Sequence, residues 1–536
     1  MPHAGHARFL VLGMLAITAG SCTDLTEVPY SEVTEKNFKP TARDLGALIA
    51  PTYVAMRPMW MGWQGNFDLQ EESADALVTP PRPNGWNDGG TYIRLHQHRW
   101  GPTQGQPGGL WSNCFSGINS ANRVIYQIEA GLVPVAENAR PHILAELKAM
   151  RAYFYSELLD NFGSVPIVTN FADTVLPTQS TRQQVYDFVV NELTAAIPDL
   201  SAEAGTKTYG RMNQWAARGI LARVYLNAEV YTGTAQWSQV IALADEIINS
   251  GLYRLEADYR TNFARHNETS VENIWAVPYD QIYAKQSSFH MKTLKPELRY
   301  VFGMQAGPWG GSASNPQFID TYDAADKRFA ATWLRGPQFT PDRQYGYNFV
   351  QYMSPLTKQS PFDQGYPVWK YEIYAGMTDA SDVDYPVLRY AEVLMMKAEA
   401  LLRTEQAAAA ADIVTQVRQR AFASADSAKA TVTAADLLQG SSYNYGWYDD
   451  DGIVKSGPGG TPTLNGGADI TFGRFLDELG WEFAVEAHRR QQLIRFGVYT
   501  TKTWFNHSPN GAYRTIYAIP QGAMNTNANL RQNPGY

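Results

Sequence analysis

Apolar residues recur at helical intervals over several long stretches of the chain. Ile143, Leu147, Met150, Phe154 and Leu158 follow one another at spacings of four, three, four and four, the period that turns one stripe of an α-helix toward a core. Pro141 sits where the first helical turn tolerates a missing amide, so the spacing predicts an amphipathic helix here. Trp215, Gly219, Ala222, Leu226 and Val230 predict a second, and its small residues at two contact positions predict close approach of a neighbouring helix. Further helices are predicted from Gln183, Trp237, Tyr385 and Phe472. Successive helices joined by short turns imply hairpins of the tetratricopeptide type, although no strict repeat period or full consensus is present.

Between the helical stretches lie residues 58–115, 280–370 and 440–470, which are dense in Gly, Pro, Asn and Trp. Long irregular segments within a domain are either functional or disordered. Disordered segments are poor in aromatic residues, so the Trp and Tyr content here favours function. The whole reads as a mainly α chain forming one large domain with long loop insertions. Residues 41–279 form an N-terminal helical part that includes the loop at 58–115, 280–384 a loop-rich insertion, and 385–536 a C-terminal helical part.

The start of the chain has a different character. A short apolar run, Phe9 to Ala19, follows Arg8; it is too short to span a bilayer and reads as a secretory signal over residues 1–21. Ala19-Gly20-Ser21-Cys22 resembles a bacterial lipobox, with Ala19 where Leu is usual, and so Cys22 is the candidate site of lipid attachment. Acyl chains there would anchor the protein stably in a membrane. Residues 22–40, with two prolines and no helical period, read as the tether.

Composition narrows the function classes. A net charge of -8 and a pI near 5.7, with no basic cluster, exclude binding to a phosphate backbone. Two cysteines, one assigned to lipid, leave Cys114 alone; a disulfide framework is excluded and Cys114 is read as a buried small hydrophobe. The 31 Tyr, 14 Trp and 22 Phe are enough to serve both a core and a binding surface.

Several ordered blocks resemble the SusD/RagB family of outer-membrane nutrient-binding lipoproteins. ILAELKAMRAYFYSELLDNFGSVPIVT at 143–169 resembles the family's helix with an acidic residue, an Arg-Ala-Tyr core, a terminating Phe-Gly and a Val-Pro strand. TYGRMNQWAARGILARVYLNAEVY (208–231), DYPVLRYAEVLMMKAEALLR (384–403), FLDELGWEFAVEAHRRQQLIRFG (475–497) and IYAIPQGAMNTNANLRQNPGY (516–536) resemble the remaining signatures in order. Leu479 and Gln492 stand where the family often has Arg and Asp, which puts one ion pair in doubt. The resemblance implies a helical scaffold of tetratricopeptide-like hairpins, tethered by lipid on the cell surface as a lid on a SusC-like TonB-dependent channel. It also implies that glycans, or in some members peptides, are held in loops remote from the signature helices.

The segment FDLQEESADALVTPPRPNGWNDGGTYIRLHQHRW at 67–100 concentrates acids, Arg, Trp and His in a turn-rich loop. A pyranose offers a flat C–H face to an indole, and hydroxyls to Arg and Asp. Trp86 is the candidate platform. Arg82, Asp75 and Asp88 are the candidate hydroxyl partners, because this loop resembles the one that contacts α-glucans in starch-binding members. Arg82 and Asp75 are equally suited to a mutual structural ion pair, and Trp100 to packing the loop against the helices. Trp309, flanked by Gly and Pro, is a second platform expected to face Trp86, with Tyr300 a third member of the arc.

Other motifs carry less. His96 and His98 lack further ligands at metal-binding spacing, so no metal or cofactor is expected. Asp449-Asp450-Asp451-Gly452 reads as a solvated turn, with structural calcium left open, and the Gly-rich stretch at 456–467 lacks the ending of a phosphate loop. Glu482 and Glu486 lie one helical turn apart, as glycoside hydrolysis would need, but Glu486 and Arg490 at i,i+4 favour a structural pair. For the acids at 71–75, no apolar pocket that would raise one pKa is evident. The expected function is therefore non-catalytic capture of an oligosaccharide, with α-glucan first, and its delivery to the channel. Peptide cargo is the alternative, and a glycoside hydrolase the distant one.

Overall fold

The computed structural model describes residues 41, 43–61, 65–448, 454–455, 457 and 466–536. The leader, Cys22, the tether, the Asp449–Asp451 turn and most of the Gly-rich stretch lie outside the described residues. Among those described, no helix is long and apolar enough to cross a membrane.

The architecture is helical, with short two-stranded pairings between helices. Helices α1 (Leu45–Val54), α2 (Asn66–Glu71), α3 (Gly105–Glu129), α4 (Arg140–Phe162), α5 (Arg182–Ala196), α6 (Gln214–Leu226) and α7 (Trp237–Asn249) form the first part. Helices α8 (Tyr390–Arg403), α9 (Ala407–Gln419), α10 (Gly473–Phe483) and α11 (Arg489–Arg495) belong to the second. Sequential neighbours pack as hairpins: α3 on α4, α4 on α5, α6 on α7 and α8 on α9, while α8 closes on α7 across the loop-rich insertion. That is the tetratricopeptide-like arrangement the periodicity predicts.

The local chemistry explains most boundaries. Pro141 occupies the first turn of α4, and Gly163 ends the helix at φ 73°, a conformation that favours glycine. Thr181 and Gln184 form a reciprocal capping box on α5, and the Asn213 side chain accepts the first amides of α6. Helix α3 begins at Gly105, so the irregular segment predicted to reach 115 ends about three turns of helix earlier.

Three expectations are corrected. The helix predicted from Trp215 to Val230 breaks at Asn227 and resumes as Ala228–Thr232; the Asn227 amide turns back to the Arg223 carbonyl and receives Arg495. Within α6, Gly219 faces a strand rather than a helix. A Cβ there would lie 2.1 Å from Leu388 Cδ2, so it makes room for a strand side chain. Tyr385–Arg389 is that strand, antiparallel to Asn273–Val277, because Pro386 turns Tyr385 away from helical angles; the helix starts five residues later than predicted, at Tyr390.

The block 475–497 is likewise two helices, α10 and α11, separated by a turn in which Val485 (φ 63°) and Ala487 (φ 59°) are left-handed. Such residues are strained by about 1 kcal/mol or more each, and the turn is held by donors from elsewhere. Lys370 Nζ donates to the Ala484 carbonyl, Tyr371 to that of Val485 and Tyr385 to that of Glu486. The Glu486 carboxylate therefore pairs with Arg389 and Lys370, not with Arg490, which meets Asp160.

Candidate functional site

The acids and bases of the 67–100 segment are committed to the interior. Lys292 Nζ lies 2.6 Å from Asp68 and 2.7 Å from Glu72, and Thr79 and Ser312 complete the Glu72 oxygen. Asp75 receives both nitrogens of the Arg489 fork at 2.6 and 2.9 Å and the Tyr445 hydroxyl at 2.8 Å. Being fully buried, Asp75 is neither a sugar partner nor the counter-ion of Arg82. Arg82 is equally inaccessible, and its guanidinium donates to the carbonyls of Gly311, Pro361 and Gln364. Burial pulls its pKa down to about 9, with Asp363 opposing. Its role is to hold three loop segments together. Trp100 also leaves the proposed wall, at 1% exposure; its Nε1 donates to the Tyr536 hydroxyl at 2.6 Å and its ring meets Tyr517 at 4.6 Å. It anchors the C-terminus.

The hydrolase geometry fails on access. Glu482 and Glu486 are buried among Arg328, Arg389, Arg420 and Lys370. One expectation about the loop acids is corrected, since burial does raise Glu71, to about 7; Glu71 has no exposed surface from which to reach a substrate. His96, His98 and a third imidazole, His507, cluster in the interior, each facing a backbone carbonyl. Burial holds all three below the usual imidazole range, and among the described residues no group could hold a metal ion. Cys114 is buried.

Trp86, Asp88, Tyr300 and Trp309 remain at the surface, Trp86 and Trp309 on loops that the structure ties together and Tyr300 on the short helix Leu298–Phe302. Asp88 is exposed, and Trp86 and Trp309 are each half-buried. Asn84 Nδ2 donates to the Trp309 carbonyl at 3.1 Å, and the Trp86 ring lies so close to Gly311 that a Cβ there would fall 1.6 Å from it. The 309–312 loop is pinned in turn to the carbonyls of Met291 and Lys292. Lys292 sits 4.0 Å over the Tyr92 ring, which meets Trp86 edge-on at 6.2 Å. A charge pair in the core thus supports the platform ring through two contacts. Tyr300, 49% exposed, stacks on Tyr345 at 4.2 Å and 27°.

Tyr345 was not singled out by the sequence, nor was its neighbour Tyr347. They stand at the start of a hairpin in which Gly336–Phe339 pairs with Gly346–Phe349. The alternation in Tyr345-Gly346-Tyr347-Asn348-Phe349 is the signal that could have found them. Tyr347 meets Phe362 at 6.1 Å, and Phe362 closes against Gly310. Trp86, Trp309 and the Tyr300–Tyr345 pair are the aromatic ridge of the surface, with Arg299 over Tyr300.

Two family models together cover most of the chain. Residues 245–536, more than half of the chain, match the SusD family, and residues 29–226 match a family described as starch-binding, associating with outer membrane. The chain is similar to the starch-binding protein SusD of Bacteroides thetaiotaomicron, 25% identical over 503 residues that cover 84% of this chain and 82% of that protein. It is also similar to a SusD-like protein of Bacteroides ovatus, 24% identical, covering 83% and 82%. Among solved structures, a laminarin-binding SusD-like protein superposes with a TM-score of 0.69 at 20% identity, covering 93% of this chain and all of that one. B. fragilis NanU does so with a TM-score of 0.72 at 19% identity, covering 95% and 99%. With its helical hairpins, its ordered signature blocks and these matches, the chain belongs to the SusD family.

Proposed function

We propose that this chain is a lipid-anchored, cell-surface glycan-binding protein that captures an oligosaccharide, α-glucan first, and passes it to a SusC-like TonB-dependent channel without catalysing a reaction. The observation that carries the reading is the aromatic ridge, with Trp86 and Trp309 on loops tied to each other and Tyr300 backed by Tyr345. Ring faces on a pre-formed surface suit the C–H face of a pyranose, and stacked pairs are worth about 0.5–1.5 kcal/mol each beyond area. Asp88 supplies a carboxylate for sugar hydroxyls beside them. A relative described as starch-binding and a similar structure described as laminarin-binding support a glucan ligand. The inaccessible carboxylates at 71–75, 482 and 486 support a non-enzymatic role. The lipid on Cys22 and the channel partner rest on the sequence.

Calorimetry of the soluble form beginning at Thr23 tests the reading against maltohexaose, laminarihexaose, a fructan and peptides side by side. Saturable heat with a glucan that weakens in Trp309→Ala, at an unchanged melting midpoint, is expected. Heat with peptides alone would replace sugar by peptide cargo, and sugar release in a reducing-end assay would overturn the non-enzymatic role.

A further inference from the structure

A second concavity lies away from the aromatic ridge, between the N-terminal half of α3 and the C-terminal segment at 520–530, with a volume of about 920 Å³. Pockets of about 300–1,000 Å³ hold small-molecule ligands. Among the described residues, no Asp, Glu, Lys, Arg or His lines it, in a chain where such residues are common. A charged ligand would leave its charge unpaired there, which is costly on burial.

The α3 wall is a single helical stripe: Trp111, Ser112, Phe115, Ser116 and Asn119. Ser112, Ser116 and Asn119 are exposed and, among the described residues, make no side-chain hydrogen bond. At about 1.5 Å rise per residue they recur every 4.5–6 Å, roughly the advance of one sugar ring along a glycan. Trp111 is nine-tenths buried, its ring tilted against Phe115 and edge-on to Phe162, yet its indole N–H donates to no protein atom among those described. Such a donor lining a groove calls for an external acceptor. The facing wall presents Pro102, Pro166, Pro177 and Pro520. Their rings offer apolar faces, and lacking amide N–H groups they cannot supply the row of backbone donors that an extended peptide uses.

We propose that this groove is a second binding site, for an uncharged oligosaccharide, independent of the aromatic ridge. Hydroxyls would exchange hydrogen bonds with Ser112, Ser116, Asn119 and Trp111 Nε1, and ring C–H faces would lie on Phe115 and the prolines. The inference rests on the glycan-binding reading for its ligand class only.

The test labels the soluble chain with 5-fluorotryptophan and follows its fluorine resonances, that of Trp111 being identified by its loss in Trp111→Phe. Maltohexaose, laminarihexaose, cellohexaose, xylohexaose and an uncharged proline-rich peptide are titrated separately to millimolar concentration. At least one sugar is expected to shift the Trp111 resonance saturably, also in the Trp86→Ala/Trp309→Ala variant. Gly108→Trp should abolish the shift by filling the groove, since a Cβ at Gly108 meets nothing within 4 Å; Ser112→Trp serves if that variant is not folded by circular dichroism. The proposal is overturned if no sugar moves the resonance, if only the peptide does, or if the shift disappears with the loop variant. In that last case the ridge reading survives and the groove alone fails, whereas loss of all sugar binding in Gly108→Trp with none in the loop variant would sink the ridge and keep the groove.

Discussion

Gly311→Ala isolates the contribution of the Trp86 ring without touching it. A Cβ at position 311 would lie 1.6, 2.0 and 2.7 Å from three atoms of the indole, well inside van der Waals contact, so the ring must move by about 2 Å for a normal C–C approach of about 3.5–4.0 Å. Overpacking of this kind costs about 1–3 kcal/mol, which at this chain length lowers the melting midpoint by a few degrees. If Trp86 stacks on sugar, losing its position removes about 0.5–1.5 kcal/mol of binding, a weakening of about 2- to 12-fold in Kd. The control is the double variant. With Trp86→Ala already present, Gly311→Ala has no ring to displace, so its effects on stability and affinity should both nearly vanish, a strong non-additivity between neighbours. Differential scanning fluorimetry and calorimetry with the best-binding glucan measure the two arms. A Gly311→Ala protein that melts lower but binds sugar with wild-type affinity would refute the assignment of Trp86 to the ligand surface.

Asp75→Ala should destabilise the protein by about 3–5 kcal/mol, because it leaves Arg489 buried without its partner; denaturant titration measures this, and the folded fraction should bind sugar normally. Trp100→Phe removes the donor to Tyr536 and should cost about 1–2 kcal/mol with no change in calorimetric affinity. Acid should destabilise the fold. Burial lowers His96, His98 (to about 3), His290 (to about 4), His488 (to about 4) and His507 below their unfolded value of 6.5, so their contribution is complete above 6.5 and lost as pH falls, because the unfolded chain protonates first. Burial raises Glu71 and Glu157 to about 7 and Asp384 to about 6. These oppose the loss down to about 4.5, since there the folded state takes up the proton first. The imidazoles act in the destabilising direction and outnumber these three carboxyls, so stability should fall as the pH drops below 6.5. Circular-dichroism melts at pH 7 and 5 should show a lower midpoint at 5, and an equal or higher one would contradict the sign.

The helical hairpins were legible because their signal is local. The stripe at Ile143–Leu158, Pro141 in the first turn and the Gly163 stop all lie within one segment. What the sequence concealed was long-range. The left-handed turn at Val485–Ala487 depends on donors from Lys370, Tyr371 and Tyr385, which no local period can announce. The same holds at the site. Asp75, Arg82 and Trp100 were chosen for residue type within a polar loop, and that type is also what a buried loop needs to satisfy itself. Asp75 is claimed by Arg489, more than four hundred residues away in sequence. Trp86 and Trp309 stand on loops because the Gly and Pro around them keep those segments short of helix, a signal the sequence does carry, whereas Tyr300 lies in the short helix Leu298–Phe302. Tyr345 was missed because its partner ring, Tyr300, belongs to another segment.

The division between buried and exposed polar residues has a consequence for specificity. The charges of the first loop are spent on rigidity: Lys292 joins Asp68 and Glu72 of the α2 region to the segment that carries the 309–312 loop, and Arg82 gathers that loop with 361–364. A surface fixed this way loses little conformational entropy when a sugar arrives, so modest ring contacts suffice for binding. Selectivity between glucans then falls to the few side chains that stand clear of the scaffold. Those are Asp88, Tyr300, Tyr345 and the exposed edges of Trp86 and Trp309. Exchanging Tyr300, Tyr345 and Asp88 together, with the Lys292 and Arg82 contacts untouched, should therefore change which glucan binds while leaving the melting midpoint within a few degrees. A large fall in stability from those three changes would mean that recognition and scaffold are not separable here.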